Sequence, residues 1–227
     1  MNLLDLVFPK TCLGCGEEGK YLCDNCLGKL KLLKPVCPYC ERPSIDGFTH
    51  TKCSRVYGLD GLTSIWDYEG AIKKAILALK YKYSTEVGKE LSEQFVLSLK
   101  TQNLLFMIPD SSTLVPIPIH WHRENVRGFN QSEEIGKEVA RQMGWEFNPK
   151  LLVKIKPTSS QAELSVEERK QNLKDVFAVP PRDSSFVIPD SVVLFDDVFT
   201  TGSTLKESAK VLKKAGVEKV WGLTIAR

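Results

Sequence analysis

The sequence predicts an α/β fold built on a parallel sheet, preceded by a small metal-binding module. Three observations predict it. An apolar run ends in two acids and a Thr/Gly/Ser turn, a second apolar run opens into a basic loop, and all seven cysteines lie in the N-terminal 53 residues. The expected boundaries are 1–57 for the metal-binding module and 58–227 for the α/β domain.

The apolar run Val192–Phe195 is typical of a strand that is buried on both faces of a parallel sheet. Asp196 and Asp197 follow it at the carboxyl end, which is the edge where open α/β sheets bind ligands. Residues 205–212 then have the spacing of an amphipathic helix, and Gly216 is expected to end it. This segment therefore predicts a strand, a ligand-binding turn and a helix.

The turn over 200–204 has the chemistry of a phosphate site. Backbone N–H groups at a helix N-terminus favour an anion, and Gly202 lets the backbone approach it closely. Hydroxyl donors are supplied by Thr200, Thr201, Ser203 and Thr204. A phosphate would repel Asp196 and Asp197, so these carboxylates suit ribose hydroxyls instead. A capped helix with two solvated acids would explain any one of these residues, but not the whole string.

The second apolar run is Leu114–Pro118, whose prolines suit a strand terminus. It opens into a loop in which Arg123, Arg127 and Gly128 would suit a pyrophosphate, and a helix then runs to Met143. The alternative is an exposed basic loop without a ligand. Further elements are predicted as strands over 62–68 and 175–179 and helices over 71–80 and 86–99. The polar segment from 156 to 165 is either a surface loop or a lid over the site.

The cysteines form regular Cys-x2-Cys pairs, which aim two ligands at one metal. In order, the pairs are Cys12 and Cys15, Cys23 and Cys26, Cys37 and Cys40, and finally His50 and Cys53. An odd cysteine count argues against a disulfide framework, whereas eight ligands divide into two structural zinc sites. The short spacers favour sequential pairing, with the first four residues in one site and the last four in the other. Interleaved pairing is the alternative.

The composition excludes several classes of protein. A net charge of +3, from 31 basic and 28 acidic residues, is too weak to argue for nucleic acid by itself. The close lysines Lys29, Lys31 and Lys34 form either a phosphate-backbone contact or a solvated face. No apolar stretch is long enough to span a membrane. The apolar residues 1–9 lack a basic start, so we expect a short packed helix, no signal peptide and a cytoplasmic location.

The string from Val192 to Thr204 resembles the phosphoribosyl-diphosphate signature of type I phosphoribosyltransferases. Taken with the four metal pairs, Val115–Pro118, Arg127–Ser132 and 161–172 in this order, the chain resembles the ComF family of competence-associated proteins. The resemblance covers nearly the whole chain, and His50 is its one departure. It implies a five-stranded parallel sheet with an N-terminal double zinc ribbon.

The resemblance also implies site roles and partners. Asp196 and Asp197 would be the catalytic acids that hold the ribose hydroxyls, and Thr200–Thr204 would hold the 5-phosphate of phosphoribosyl diphosphate or ribose 5-phosphate, with magnesium. The family association is DNA uptake, which implies single-stranded DNA and a competence helicase as partners. Two readings follow: an active phosphoribosyltransferase, or a non-catalytic binding protein that uses the pocket for a regulatory ligand or a nucleic-acid end. No motif names an acceptor.

Overall fold

The computed structural model describes residues 9–82, 85–102, 108–119, 130–156, 175–181 and 187–227. Its centre is a parallel sheet of five strands. In chain order they are β1 (Gly61–Trp66), β2 (Thr113–Pro116), β3 (Glu146–Phe147), β6 (Ser191–Val198) and β7 (Lys219–Ala226). Their spatial order is β1-β7-β6-β2-β3. The short strands β4 (Val153–Lys154) and β5 (Phe177–Ala178) form a separate antiparallel pair.

Helices pack on both faces of the sheet. Within the described ranges they are α1 (Asp24–Gly28), α2 (Gly70–Lys82), α3 (Thr85–Thr101), α4 (Gln131–Met143) and α5 (Ser203–Ala215). Single 3-10 turns cover Ile45–Gly47 and Thr51–Cys53. The sequence places the ends of α4 and α5 correctly, since each stops at a left-handed glycine, Gly144 or Gly216.

Alternate residues of β6 enter two separate cores. Val193 and Phe195 pack with residues of α2, α3 and α4, whereas Val192 and Leu194 pack with residues of α5. All four side chains are fully buried. This confirms the predicted strand with two buried faces, which is how helices cover a parallel sheet on both sides. The α/β class and the parallel sheet of five strands are as expected.

The sheet differs from the sequence predictions at its strand ends. β6 continues to Val198, so Asp196 and Asp197 lie within the paired part of the strand rather than after its end. The reason is β7, which reaches equally far and pairs Asp196 with Thr224. β2 ends at Pro116, in agreement with a proline at a strand terminus.

The cysteine-rich segment packs on the α/β body at two places. In its first half, the Glu90 carboxylate of α3 accepts hydrogen bonds from the N–H groups of Leu22, at 2.6 Å, and Tyr21, at 3.2 Å. In its second half, the rings of Phe48 and Trp221 meet edge-on with centroids 5.2 Å apart. The two halves therefore contact different parts of the body.

The stretch between these halves covers the open edge of β1. The N–H of Leu33 donates to the carbonyl oxygen of Ile65 at 2.9 Å, and Leu32 forms a bridge with Trp66. β1 is buried almost throughout because its side chains enter both cores, Leu62 packing with residues of α5 and Ile65 and Trp66 with residues of α2 and α3. An edge strand covered at one end leaves fewer backbone groups with which another chain could pair.

Three sequence predictions fall outside the described residues. They are the short N-terminal helix within 1–8, the basic loop with Arg123, Arg127 and Gly128, and most of the segment from 156 to 172. Among the helices that the structure does describe, none combines the length and the apolar character needed to span a bilayer.

Candidate functional site

A cleft of about 250 Å³ opens at the carboxyl ends of β2 and β6. Its walls include both acids and most of the predicted turn, namely Asp196, Asp197, Thr200, Gly202, Ser203 and Thr204. The opposite wall comes from Ile117–Ile119 after β2 and from Gln131 and Ser132 at the start of α4. The structure thus brings the acids and the turn to one cavity, at the sheet edge where α/β proteins bind ligands.

Asp196 is held in place by the first turn of α4. Its Oδ1 accepts a hydrogen bond from the Ser132 hydroxyl at 3.1 Å and another from the N–H of Asp197 at 2.9 Å. Both carboxylates are half-buried. A carboxylate that is fixed by such donors is oriented before a ligand arrives, which lowers the entropic cost of binding.

The turn after β6 is shaped by Gly202, which has φ of 65° and forms the N-cap of α5. A Cβ at this position would overlap the ring of Phe199, so glycine is required for space as well as for conformation. The Thr201 hydroxyl accepts a hydrogen bond from the N–H of Ser203, the first residue of α5, at 3.4 Å, and the first turn of the helix contains no acid. These N-terminal N–H groups and the nearby hydroxyls of Thr201 and Ser203, which are 2.8 Å apart, form a concave set of donors.

Two residues that were not predicted from the sequence belong to the same site: Asn130 holds the start of α4, and Gln131 lines the cleft. Asn130 caps α4 through the N–H of Ser132, and its amide also donates to the carbonyl oxygen of Ile117 at 3.1 Å. The side-chain nitrogen of Gln131 is buried and has no hydrogen-bond partner among the residues that the structure describes. Because an unpaired buried donor is costly, Gln131 is a donor available to a ligand in the cleft. Asn is a favoured N-cap residue, and its position just before the apolar pattern of α4 is the sequence signal by which Asn130 could have been predicted.

The pair β4–β5 brings a cation and an aromatic ring to the mouth of the cleft. Lys154 and Phe177 both line it, with the Lys154 ammonium 5.8 Å from the centre of the Phe177 ring. Tyr68, which follows β1, completes this side. These three residues are far apart in sequence, and only the fold brings them together.

The cysteine-rich segment contains two clusters of four potential metal ligands. The ligand atoms of each cluster all lie within 4.8 Å of one another. One cluster is Cys12, Cys15, Cys23 and Cys26, and the other is Cys37, Cys40, His50 and Cys53. None of the seven cysteines forms a disulfide bond. The grouping is the sequential one, and a four-ligand set of sulfur and nitrogen is the donor set of a structural zinc site.

The contacts of His50 fit a zinc ligand. Its Nδ1 lies 3.3 Å from the sulfur of Cys40, and its Nε2 lies 3.1 Å from the carbonyl oxygen of Pro43. An Nε2–H that donates to Pro43 leaves Nδ1 unprotonated and directed toward the cluster. Metal-bound histidines are commonly oriented by such a second hydrogen bond.

The thiols of the first cluster differ in acidity. Burial raises the pKa of Cys12, but the N–H groups of Cys23, Cys15 and Gly14 outweigh it and lower the pKa to about 6. Burial, together with the neighbouring Cys12 sulfur, raises the pKa of Cys26 to about 12. All four sulfurs can therefore ionise together only beside a cation, which is what a zinc ion supplies.

A second, larger cleft of about 510 Å³ lies between the second metal cluster and α5. The cysteine-rich segment contributes Tyr39, Arg55, Val56 and Tyr57, and the α/β domain contributes Thr201, Ser203, Lys206, Glu207 and Lys210. Tyr57 and Val56 are exposed. This cleft meets the first one at the 200–204 turn.

Known proteins resemble the chain over both of its parts. The model of the double zinc ribbon domain matches residues 3–56. Competence protein F of Haemophilus influenzae is 28% identical over 221 residues, which is 95% of this chain and 90% of the relative. DNA utilization protein YhgH of Escherichia coli K12 is 29% identical over 234 residues, covering 96% and 98% of the two chains. The resemblance to the ComF family is confirmed.

A third relative widens this set. Competence protein ComFC of Bacillus subtilis is 25% identical over 219 residues, which is 91% of this chain and 84% of the relative. The matches to these relatives thus span both the ribbon and the α/β domain of this chain rather than one part of it. The metal clusters are accordingly the two zinc sites of a double zinc ribbon, one with four cysteines and one with three cysteines and a histidine.

Proposed function

We propose that this chain acts in DNA uptake or DNA utilisation, and that its 196–204 cleft binds phosphoribosyl diphosphate or ribose 5-phosphate. The first part rests on the ComF relatives, two of which carry the name competence protein and one the name DNA utilization protein. The second part rests on one observation: two carboxylates, of which Asp196 is oriented by hydrogen bonds, line a cleft beside the N-terminus of α5. That pairing matches a ligand with hydroxyls at one end and an anion at the other.

The proposed pose follows from charge. A terminal phosphate is attracted by the N–H groups at the start of α5 and is repelled by the carboxylates. The ribose 2′- and 3′-hydroxyls donate hydrogen bonds, so they suit Asp196 and Asp197. Gln131 offers its buried amide to the same ligand. The pyrophosphate contacts expected from Arg123, Arg127 and Gly128 remain predictions.

Magnesium fits this proposal as a companion of the ligand. Among the described residues, the zinc clusters are the only groups of three or more Cys, His, Asp or Glu side chains close enough to share an ion. The cleft therefore offers the oxygens of Asp196 and Asp197 but no complete cage of protein ligands. Mg²⁺ is usually held by one or two carboxylates plus phosphate oxygens, which is the donor set that these acids and a bound pyrophosphate would form.

The enzymatic form of the proposal is transfer of the phosphoribosyl group, with pyrophosphate leaving the anomeric carbon. Bound magnesium would neutralise charge on the leaving group. The chain's own residues would hold the ribose and the phosphate in one orientation, and this chemistry depends on positioning and charge more than on a protein nucleophile. The cysteines, as reduced zinc ligands, support a cytoplasmic location for this activity.

A second candidate is a non-catalytic role in binding single-stranded DNA. The observation that favours it is the cleft of about 510 Å³, where Tyr39 and Tyr57 lie beside Arg55, Lys206 and Lys210. Aromatic rings beside cations suit stacked bases and a phosphate backbone. The competence helicase implied by the family resemblance remains a predicted partner.

The test is calorimetric titration of ribose 5-phosphate and of phosphoribosyl diphosphate, each with and without Mg²⁺. We expect both to bind the wild-type chain. Asp196→Asn combined with Asp197→Asn should weaken binding at least tenfold, since a hydrogen bond to a charged group contributes roughly 1.5–3 kcal/mol. Asp190→Asn, before β6, is the matched control. Equal affinity in the double variant and the wild type would place the ligand elsewhere.

A further inference from the structure

One aromatic ring connects the second zinc site to the phosphate turn. Tyr39 lies between the zinc ligands Cys37 and Cys40. Its ring faces two cations, with the Arg55 guanidinium carbon 5.0 Å and the Lys206 ammonium 5.5 Å from its centre. Lys206 belongs to the first turns of α5. The metal site therefore contacts the helix whose N-terminus forms the proposed phosphate site.

Lys206 also contacts the 200–204 turn directly. Its ammonium donates to the carbonyl oxygen of Thr201 at 2.8 Å and lies 5.5 Å from the centre of the Phe199 ring. The carbonyl of Thr201 and the N–H of Gly202 belong to one planar trans peptide, so they point in opposite directions. By fixing this carbonyl, Lys206 fixes the direction of the Gly202 N–H.

Tyr39 is itself fixed by the chain that follows the zinc site. Its hydroxyl accepts a hydrogen bond from the N–H of Leu59 at 2.9 Å. Gly58 lies so close to this hydroxyl that a Cβ there would overlap it. The ring is therefore held at both ends, by the zinc pair on one side and by the start of the α/β domain on the other.

The first zinc site docks elsewhere. Its segment contacts α3 through Glu90, and it contacts α2 where Lys74 donates to the carbonyl oxygen of Gly14 at 3.4 Å. Neither contact involves α5 or the 200–204 turn. The chain thus contains an internal control: two zinc sites of similar chemistry, of which one touches the phosphate turn through Tyr39 and Lys206.

From these contacts we infer that Tyr39 and Lys206 are positioning residues that couple the second zinc site to the 200–204 turn. Loss of zinc from the second site releases the Tyr39 ring, loosens Lys206 and weakens phosphate binding. Loss of zinc from the first site leaves phosphate binding unchanged. The inference rests on the proposed function in taking the turn as the phosphate site.

The experiment measures ribose 5-phosphate affinity by calorimetry in full-length variants. Tyr39→Leu and Lys206→Met should each weaken binding roughly threefold to tenfold, the range expected for one lost cation–π or charged hydrogen-bond contact. Tyr39→Phe keeps the ring, so its affinity for ribose 5-phosphate should lie within about twofold of that of the wild type. Lys219→Met, at the exposed start of β7, should change nothing. The Tyr39→Leu/Lys206→Met double variant should bind ribose 5-phosphate with the same affinity as the single variant that binds less tightly, because both substitutions remove one shared contact.

The zinc arm compares Cys53→Ser with Cys15→Ser, with metal content and melting temperature measured for both. Only Cys53→Ser should weaken ribose 5-phosphate binding. Equal effects of both substitutions, or a Tyr39→Leu variant with lowered melting temperature and unchanged affinity, would overturn the coupling.

A readout that needs no ligand separates this inference from the proposed function. The amide resonance of Gly202 should shift in Tyr39→Leu and Cys53→Ser but not in Cys15→Ser. If the wild type binds no ribose 5-phosphate and this pattern still appears, the proposed ligand is wrong and the coupling holds. If the Gly202 resonance is the same in all three variants, the coupling is wrong.

Discussion

The hydroxyl of Ser132 donates a hydrogen bond to Oδ1 of Asp196 at 3.1 Å, which joins the first turn of α4 to the end of β6. The two residues are 64 positions apart in the chain. Ser132 is buried, and its own N–H is capped by Asn130. The orientation of the acid therefore depends on the start of a neighbouring helix as well as on the N–H of Asp197.

Replacing Ser132 by alanine should weaken ribose 5-phosphate binding roughly fivefold, because Asp196 loses one of the donors that orient it. Ser208→Ala is the matched control. Ser208 is also a buried serine, but its hydroxyl has no hydrogen-bond partner among the described residues. Calorimetry on both variants checks this, and a loss of affinity in the control comparable to that in Ser132→Ala would contradict it.

Gln131→Met should separate stability from binding. The substitution removes a buried side-chain nitrogen that has no partner in the described part of the chain, so the free energy of unfolding should stay the same or rise by about 1 kcal/mol. Ligand affinity should fall if the amide donates to the ligand. Denaturant unfolding and calorimetry measure the two effects, and a fall in stability together with unchanged affinity would show that Gln131 has only a packing role.

Gly202→Ala should be more harmful than its conformation alone explains. Alanine with φ of 65° is strained by about 1–2 kcal/mol, and its Cβ would also overlap the Phe199 ring. Gly144→Ala isolates the first effect, since Gly144 has φ of 72° with no atom close enough to clash. Thermal unfolding should show the larger loss at Gly202, with ligand binding lost there only. Equal losses would mean that Phe199 moves aside.

The β6–α5 unit could be predicted from the sequence because its signals are local. The apolar run, the two acids, the turn and the amphipathic helix follow one another directly in the sequence. The structure likewise shows one strand, one turn and one helix. The eight zinc ligands were equally legible from their spacing. Geometry was needed only to choose sequential over interleaved pairing.

The rest of the site depends on tertiary packing that no local pattern encodes. Lys154 and Phe177 reach the cleft only because two short strands pair beside it. Tyr39 looks like an ordinary residue within a zinc pair, yet it meets a lysine 167 positions later in the sequence, Lys206. The edge of β1 is likewise paired with Leu32 and Leu33, which belong to the ribbon segment. Such contacts between distant segments require the fold.

The zinc sites predict a metal content of two ions per chain, measured by elemental analysis under non-chelating conditions. His50→Ala should lower occupancy of the second site only, because the first has four cysteines of its own. Zinc should be released as the pH falls, since protons compete for thiolate and imidazole ligands. Release should unfold the ribbon, which buries few large side chains besides Leu22 and Val36. One ion or fewer in the wild type would reject the model with two sites.

The last prediction concerns where single-stranded DNA binds. The sequence points to Lys29, Lys31 and Lys34, which remain a candidate surface, but Lys31 is already paired with Asp67 at 2.6 Å. The cleft beside Tyr57 and Lys210 combines an exposed ring with cations and suits a flexible strand better. We therefore expect Tyr57→Ala/Lys210→Ala to lose more affinity than the triple lysine-to-alanine variant.

Fluorescence anisotropy across a salt series measures this difference. Affinity of the wild type should fall as salt rises, with the logarithmic slope reduced by roughly 0.7 for each phosphate contact that a variant loses. Ribose 5-phosphate binding should stay intact in both surface variants, because neither changes the acids or the 200–204 turn. Asp197→Asn should leave DNA binding unchanged, since a carboxylate repels a phosphate chain rather than holding it. If Asp197→Asn abolishes DNA binding while both surface variants retain it, the nucleic acid enters the 196–204 cleft, and the two activities share one site.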